Sequence, residues 1–574
     1  MTPPLWDQPS CDDASAAGLA QALGVPPILG RLLRLRGVTS AEEGARFLAP
    51  SLDHLHDPFG MADMDRAVER LRAAIARRDR IVVHGDYDVD GISATVILRR
   101  ALERLGADVG HFIPDRLRDG YGLLPATVDR LAAEGARLIV SVDCGIRGID
   151  AASRARALGV DLIITDHHEP GRDLPDAVAV INPKRPDCRY PEKDLAGAGV
   201  ALKLVQALCR REGREAWLPA FVKIASLGTL GDVVPLLGEN RVIARIGLDL
   251  LSRGPNKVGL RALIEVAGLA GRRLDSHHVS FLLAPRLNAA GRMSTPDLAV
   301  RLLLADDESM AGEIGGLARQ LDEENQRRQR EEQEIVAAAR KQVDGDPDVG
   351  AHALLVVTGE GWHRGVIGIV ASKLVDAYHR PAIVISVDGE VAHGSCRSIP
   401  SLDMLGALER AGHLLTRFGG HRLAAGLVIE PGRIREFRRA VTAVANDLLG
   451  PDDLRPRIRI DGTLAFDEIT ERTVEDVARL EPHGPGNPRP VFRASGVEVV
   501  DGPRRIKQRH LALGLRQRGR IFRAMAWRAA DQESTYLANR RGLDLAFSLA
   551  QNTWRGETTT ELTVVDGRPG DRGD

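Results

Sequence analysis

Three carboxylates crowd one short stretch of the chain. The segment HGDYDVDG (84–91) sets Asp86, Asp88 and Asp90 at alternate positions directly after the apolar run IVVHG (81–85). In extended backbone alternate side chains share a face, so the three acids are expected to converge. Uncompensated they repel one another, and bound cations are what makes such an arrangement tolerable. Further ligand-type residues follow two more apolar runs: Asp143 in SVDCG, and Asp166, His167 and His168 in TDHHEP. Asp232 in GTLGDVVPL is another candidate. Any one of these acids reads most simply as a helix cap or a surface charge, but as a set at strand ends they point to a metal site. A calcium EF-hand loop also opens D-x-D-x-D-G. That reading fails here, because the twelfth position is Ile97 where a bidentate Glu is needed, and a strand pattern precedes the loop.

Carboxylates joined by imidazole suit Mn²⁺ or Mg²⁺ better than zinc, and the imidazole tilts the choice toward Mn²⁺. More side chains are available than one octahedral ion with open water positions would use. Two ions, roughly 3.5–4 Å apart and bridged by a shared carboxylate, fit better. Such a pair activates water at neutral pH and steadies both the attacking and the leaving oxygen of an in-line phosphoryl displacement. The chain has no Walker A loop, so phosphoester hydrolysis is the expectation, not P-loop NTP chemistry.

The elements that must position these residues follow from the apolar pattern. IVVHG (81–85), LIVSVD (138–143) and DLIITD (161–166) have the length and β-branching of buried parallel strands. Open parallel sheets bind ligands at the carboxyl ends of their strands, so the three loops are expected to meet in one crevice. The predicted fold is a multidomain α/β chain: a helical lead-in over 1–60, a parallel-sheet domain over 61–300, a long connecting helix over 301–345, a second α/β domain over 346–450, and a small β-barrel over 455–570. Residues 196–250 read as helical, with an interruption at 226–241. The second α/β domain has strands at 353–359 and 382–389 around a helix at 365–379. The barrel is predicted from five or so short alternating runs, read as antiparallel strands.

At 574 residues the chain exceeds what one hydrophobic core supports. Its 44% hydrophobic and 27% charged content is that of an ordinary globular protein. A net charge of −1 gives no global basic field, so a nucleic-acid surface has to be local. The N-terminus lacks the pattern of a secretory signal, and no apolar stretch approaches the roughly 20 residues needed to cross a bilayer. The five cysteines are scattered without a CxxC pair, as free thiols in a reducing compartment would be. The expectation is a cytoplasmic, nucleoid-associated protein with no membrane partner.

The runs GDYDVDG, SVDCG, TDHHEP and GTLGDVVPL resemble the DHH phosphoesterase superfamily. The second α/β domain, with GEGWHRGVIGIVASKL (359–374), GSCRS (394–398) and FGGHRLAAGL (418–427), resembles its DHHA1 domain. With PRLNAAGRM (285–293), EPHGPGNPRPVF (481–492) and the terminal barrel, residues 55–566 are similar in collinear order to the bacterial RecJ family of single-strand exonucleases. The resemblance implies a 5′→3′ exonuclease on single-stranded DNA that releases 5′-mononucleotides and requires Mn²⁺ or Mg²⁺, in DNA repair and recombination. Carried over by motif, Asp90, Asp143, His167 and Asp232 would hold one ion. Asp88 and Asp143 would hold the other, with help from Asp86 or His84. His168 would contact the scissile phosphate or orient the attacking water. Longer relatives carry an extra C-terminal domain, which is not expected here.

Directionality needs a pocket for the 5′ end. Arg116 lies in IPDRLRDGYG (113–122), where Tyr121 could stack on a base. In the second α/β domain Gly394, Ser395, Arg397 and Ser398 offer amides, hydroxyls and a guanidinium, a set suited to phosphate. Arg286 and Arg292, flanking Asn288, are further candidates, with interdomain salt bridges as the plain alternative. Gly419-Gly420-His421 is a turn by composition, and the resemblance implies that Gly420 and His421 touch substrate. In the barrel, residues 503–528 hold Arg504, Arg505, Lys507, Arg509, Arg516, Arg518, Arg520, Arg523 and Arg528 and no acid, interleaved with Phe522 and Trp527. That suits an OB-type strand-tracking surface, unless both aromatics belong to the core. Single-stranded DNA is the expected partner, beside a single-strand-binding protein and a helicase. Two other functions compete: a small-substrate DHH phosphodiesterase for oligonucleotides or cyclic dinucleotides, which the basic barrel argues against, and a non-catalytic Cdc45-like replication scaffold, which the full ligand set argues against.

Overall fold

The computed structural model describes residues 3–116, 119–120, 122–345, 352–554 and 557–570. The chain divides into two compact units. One joins Trp6–Ala284 to Arg459–Asp574, and the other is Pro285–Ile458 with the first few residues.

In the first unit a five-stranded, all-parallel sheet carries the acidic motifs. Its strands are β1 (Ile81–His84), β2 (Val109–Phe112), β3 (Leu138–Val142), β4 (Asp161–Thr165) and β5 (Ala179–Ile181), in the order β2-β1-β3-β4-β5. The chain leaves β1 toward one side, to β2, and returns to its other side at β3. The switch point of the sheet therefore lies between β1 and β3, where a doubly wound sheet opens its crevice. The three strands expected from sequence are present. The two edge strands, β2 and β5, are short additions that the apolar pattern did not single out.

Helix α1 (Val89–Arg104) starts immediately after the acidic loop, with Asp88 as N-cap accepting from the amides of Asp90 and Gly91. It packs with α2 (Gly197–Arg211) and α3 (Leu218–Gly231). Helix α3 runs through the first part of the segment expected to be interrupted. The break begins only at Asp232, because Leu227 and Leu230 are buried and keep the helical period as far as the turn.

The second unit holds the 35-residue helix α4 (Ala311–Gly345) and a mixed sheet. The sheet comprises β6 (Leu355–Glu360), β7 (Ala382–Asp388), β8 (Val391–Arg397), β9 (Arg417–His421) and β10 (Ala424–Ile429), ordered β9-β10-β8-β7-β6. Helix α5 (Ile367–Tyr378) packs on this sheet.

The C-terminal part of the first unit is a closed barrel of β11 (Phe492–Ile506), β12 (His510–Gln517), β13 (Arg520–Ala526), β14 (Arg541–Trp554) and β15 (Glu557–Pro569). The pairing β11-β12-β13-β15-β14 closes on β11. The expectation of five strands holds, but β13 and β15 pair in parallel, which an all-antiparallel reading did not include. The barrel does not have a private core. Leu29, Leu32, Leu33 and Phe47 of the N-terminal helices lie in one apolar cluster with Phe466, Phe492, Leu515 and Phe547. Arg241 pins this assembly: it is buried, stacks on Phe47, and donates to the carbonyls of Phe47, Arg479, Leu480 and Glu481.

Candidate metal centre

Asp86, Asp88, Asp90, Asp143, His167 and Asp232 come together at the carboxyl ends of β1, β3 and β4. Three overlapping groups result, each with its ligand atoms within 4.8 Å of one another: Asp86, Asp88 and Asp143; Asp90, His167 and Asp232; and Asp143, His167 and His168. Asp143 joins the first group to the third, as a bridging carboxylate would. Its φ of 60° is the left-handed conformation that aims its side chain out of β3.

The local backbone explains the arrangement, and it is not the one that strand alternation predicts. The loop after β1 does not stay extended: Asp88 caps α1, and Asp90 already lies in its first turn. Asp86 and Asp88 therefore turn to one group and Asp90 to the other. Asp90 is held by the first amides of α2, Gly197 at 2.6 Å and Ala198 at 2.9 Å, where the helix dipole favours a negative charge. A Cβ on Gly197 would stand 2.3 Å from an oxygen of Asp143, and one on Gly228 would stand 2.5 Å from an oxygen of Asp90, so both acids need a bare backbone beside them. The run AGAG (196–199) is the sequence signal for this approach.

The electrostatics are those of a cation site. His167 Nε2 lies 3.2 Å from Asp143, 3.6 Å from Asp232 and 3.9 Å from Asp90. Burial, with the His168 charge, holds the His167 ring down at about 4, hence neutral at pH 7, and its ring hydrogen-bonds to the Leu195 backbone. Its Nε2 and Asp143 Oδ1 are both buried without a hydrogen-bond partner among the described residues. A lone pair facing a carboxylate is satisfied by a cation between them, so these residues fit divalent metal. Burial and the Asp88 charge push Asp90 up to about 7. Burial, then Asp90 and Asp88, push Asp232 up to about 9. Asp86 and Asp143 are also raised, by burial first and by neighbouring acids second.

His168 is built differently. Burial pulls its ring down, but the Asp166 carboxylate at 2.7 Å outweighs burial and raises it. Asp166 also accepts from the amides of Ile146, His167 and His168, and these bonds with the His168 contact overcome burial and lower its pKa. Sequence reasoning named Asp166 only as part of the triplet; its positioning role was not read. His84 belongs to none of the three groups. It is buried in β1 with its Nδ1 3.4 Å from Cys144 Sγ, and burial holds it at about 4.

The substrate candidates are placed unevenly. Arg116 lies over the Tyr87 ring, 5.2 Å from its centroid, and its charge reaches Asp86; Tyr121 lies outside the described residues. In the second unit Ser395 and Arg397 share one face of β8 and hydrogen-bond to each other. A Cβ on Gly368, in the first turn of α5, would be 3.0 Å from Ser395 Oγ and 3.2 Å from Arg397, so the helix start stands directly over the pair. Ser398 turns away to the Leu402 carbonyl. Arg286 is ion-paired with Asp322 at 2.8 Å, and Arg292 donates to the Gly365 carbonyl at 2.9 Å, both within this unit. Asn288 sits between them on the helix Ala284–Met293. Gly420 and His421 lie exposed on edge strand β9, not in a simple turn.

The barrel surface needs one correction. Phe522 is a core residue, edge-on to Phe466, and cannot stack on a base; Trp527 is 57% exposed. Nor is the basic stretch uncompensated. Arg504, Arg505, Arg516 and Arg518 pair with Asp501, Glu533, Glu498 and Asp467, acids that lie outside it in sequence.

A model of the DHH family N-terminal domain matches residues 80–231, the DHHA1 domain 350–447, and the RecJ OB domain 460–566. The single-stranded-DNA-specific exonuclease RecJ of Escherichia coli (strain K12) is 35% identical over 561 residues, spanning 94% of this chain and 95% of its own. The chain belongs to the RecJ family. The RecJ of Bacillus subtilis (strain 168) is 35% identical over 566 residues, 98% of this chain and 70% of the relative. A crystal structure of RecJ from Thermus thermophilus in complex with Mn²⁺ superposes with a TM-score of 0.84 at 33% identity, over 99% of this chain and 80% of the other. A Mg²⁺ complex of RecJ from the same organism gives 0.77. Among the described residues, no single helix is long and apolar enough to cross a membrane.

Proposed function

We propose that the protein is a 5′→3′ exonuclease that degrades single-stranded DNA to 5′-mononucleotides. Membership of the RecJ family supports the substrate class. The observation that carries the chemistry is the buried, unpartnered pair of Asp143 Oδ1 and His167 Nε2 at the junction of the carboxylate groups. In this reading Asp90, His167, Asp232 and Asp143 hold one Mn²⁺ or Mg²⁺, and Asp86, Asp88 and Asp143 the second. Two divalent ions bound there supply an activated water and offset the charge that develops on the phosphate.

The chain's own residues do the rest. Asp143 would serve both ions, and the α2 amides fix Asp90. His168, kept protonatable by Asp166, contacts the scissile phosphate. In the first unit Arg116 binds backbone phosphate. In the second unit Ser395 and Arg397 bind phosphate and Gly420 and His421 touch the strand, while Arg286, Asn288 and Arg292 shape that unit's surface. A single-strand-binding protein and a helicase would present the strand in DNA repair and recombination, in the cytoplasm at the nucleoid.

Digestion of 5′- and 3′-labelled single-stranded DNA with Mn²⁺, by wild type and Asp143→Ala, tests this. The expected result is labelled mononucleotide released first from the 5′ end, and lost in Asp143→Ala. Internal cuts, or full activity in Asp143→Ala, would contradict it.

A further inference from the structure

An exposed aromatic pair, Phe281 and His277, flanks a turn that is hydrogen-bonded to the helix ending at Asp232, and it has no part in the metal centre. The segment Val279–Leu283 is a π-helical turn, a rare irregularity frequently found at functional sites. It leaves Phe281 66% exposed, with its ring stacked on His277 at a centroid distance of 4.8 Å and an interplanar angle of 27°. Ser280 in the same turn donates to the Leu230 carbonyl at 2.8 Å, two residues before Asp232. The platform is thus tied to the helix end that delivers a candidate metal ligand.

His277 also lines a cavity of about 650 Å³, within the range of roughly 300–1,000 Å³ usual for ligand sites. Arg245, Arg253, Arg272, Arg273 and Arg489 line the same cavity, against the acids Asp249, Asp275 and Glu481. Two of those acids are already engaged: Asp249 pairs with Arg253 at 2.9 Å, and Asp275 accepts from the backbone amide of His278 at 2.9 Å. His483, also in the wall, has its Nδ1 buried with no hydrogen-bond partner among the described residues. A stacking surface that leads into a mostly cationic cavity matches a base followed by backbone phosphate.

We propose that Phe281 and His277 stack a base of single-stranded DNA away from the bond being cut, and that the arginine-lined cavity takes the neighbouring phosphates. Aromatic stacking tolerates any base, as a non-specific nuclease requires, and guanidinium groups grip phosphate through paired N–H donors. The proposal rests on the exonuclease reading above. Its effect depends on strand length, because nucleotides beyond the catalytic centre are needed to reach the platform.

The test is the affinity of the full chain for fluorescent oligodeoxythymidylates of three and twenty nucleotides, measured in chelator so that binding is read without hydrolysis. For the 20-mer, Phe281→Ala is expected to weaken binding about tenfold, as the loss of one stacked base implies. Phe281→Trp should restore it, and the trimer should be unaffected. Replacing both Arg272 and Arg273 by Ala should reduce the salt slope of 20-mer binding by about 1.4. Unchanged 20-mer affinity in Phe281→Ala, or equal losses on trimer and 20-mer, would overturn the proposal. Because no cleavage is involved, failure of the exonuclease reading appears separately, in the labelled-strand digestion.

Discussion

The acid cluster and the basic segment of the barrel each concentrate one sign of charge, and the fold treats them in opposite ways. In the cluster, Asp86, Asp90 and Asp143 are buried together, and burial first and the neighbouring acids second raise their pKa values, with the Arg116 charge offsetting only part of this at Asp86. In the barrel, Arg504, Arg505, Arg516 and Arg518 each meet an acid near the surface. Carboxylates kept together in the interior create a strong, stoichiometric demand for cations. Surface pairs of this kind are worth only ~0–1 kcal/mol each and can be exchanged for phosphates, giving a weak and salt-sensitive grip. Under the proposed function, chemistry belongs to the buried region and strand retention to the exposed one.

Three perturbations probe that contrast. The largest effect is expected from Gly197→Ala, whose Cβ must displace the Asp143 carboxylate. Because a shift of about 1 Å in a catalytic constellation costs on the order of 100-fold, kcat/KM on single-stranded DNA should fall by that much, with the circular-dichroism spectrum unchanged. Wild-type activity in Gly197→Ala would break the link between backbone clearance and catalysis.

Next comes pH. Asp90 and Asp232 titrate near 7 and 9 in the folded chain, above their ordinary value of 3.8. Without metal, the stabilising contribution of their protonated forms is fully present below the unfolded value and is lost as pH rises through the folded values. Mn²⁺ competes with these protons, so its apparent affinity should rise between about pH 6 and pH 9. Calorimetric titration in buffers of different ionisation enthalpy should register the released protons; affinity independent of pH would contradict the burial argument.

The smallest effect belongs to the barrel. Arg523 is exposed and lies opposite Gly514, and Arg523→Ala should weaken binding a few-fold and reduce the salt slope by about one. Arg516→Ala should do less, since Arg516 starts from its pair with Glu498. A loss in either as large as that in Gly197→Ala would erase the distinction between the two regions.

Much of this was legible in the sequence, because apolar β-branched runs mark buried parallel strands and the residues just past them must lie at one end of the sheet. That logic placed Asp143, His167 and the 86–90 acids together, and the match to RecJ relatives bears out the family. The split of the acids between two groups was implied by the family resemblance alone and not by the spacing of the acids. It depends on Asp88 capping a helix where an extended continuation was assumed, a local choice that the DxDxD spacing leaves open. The amides that hold Asp90 come from Gly197 and Ala198, more than a hundred residues away, and only the folded chain brings them there. Phe522 read as a surface aromatic because it sits among arginines, whereas strand alternation sends it inward against Phe466 while Arg523 points out.

The most direct test of the account is the anomalous scattering of Mn²⁺ in crystals of the full chain. Two peaks are predicted, roughly 3.5–4 Å apart, both in contact with Asp143, one bounded by Asp90, His167 and Asp232 and the other by Asp86 and Asp88. A single peak, or peaks that leave Asp143 without a metal contact, would contradict the two-ion centre.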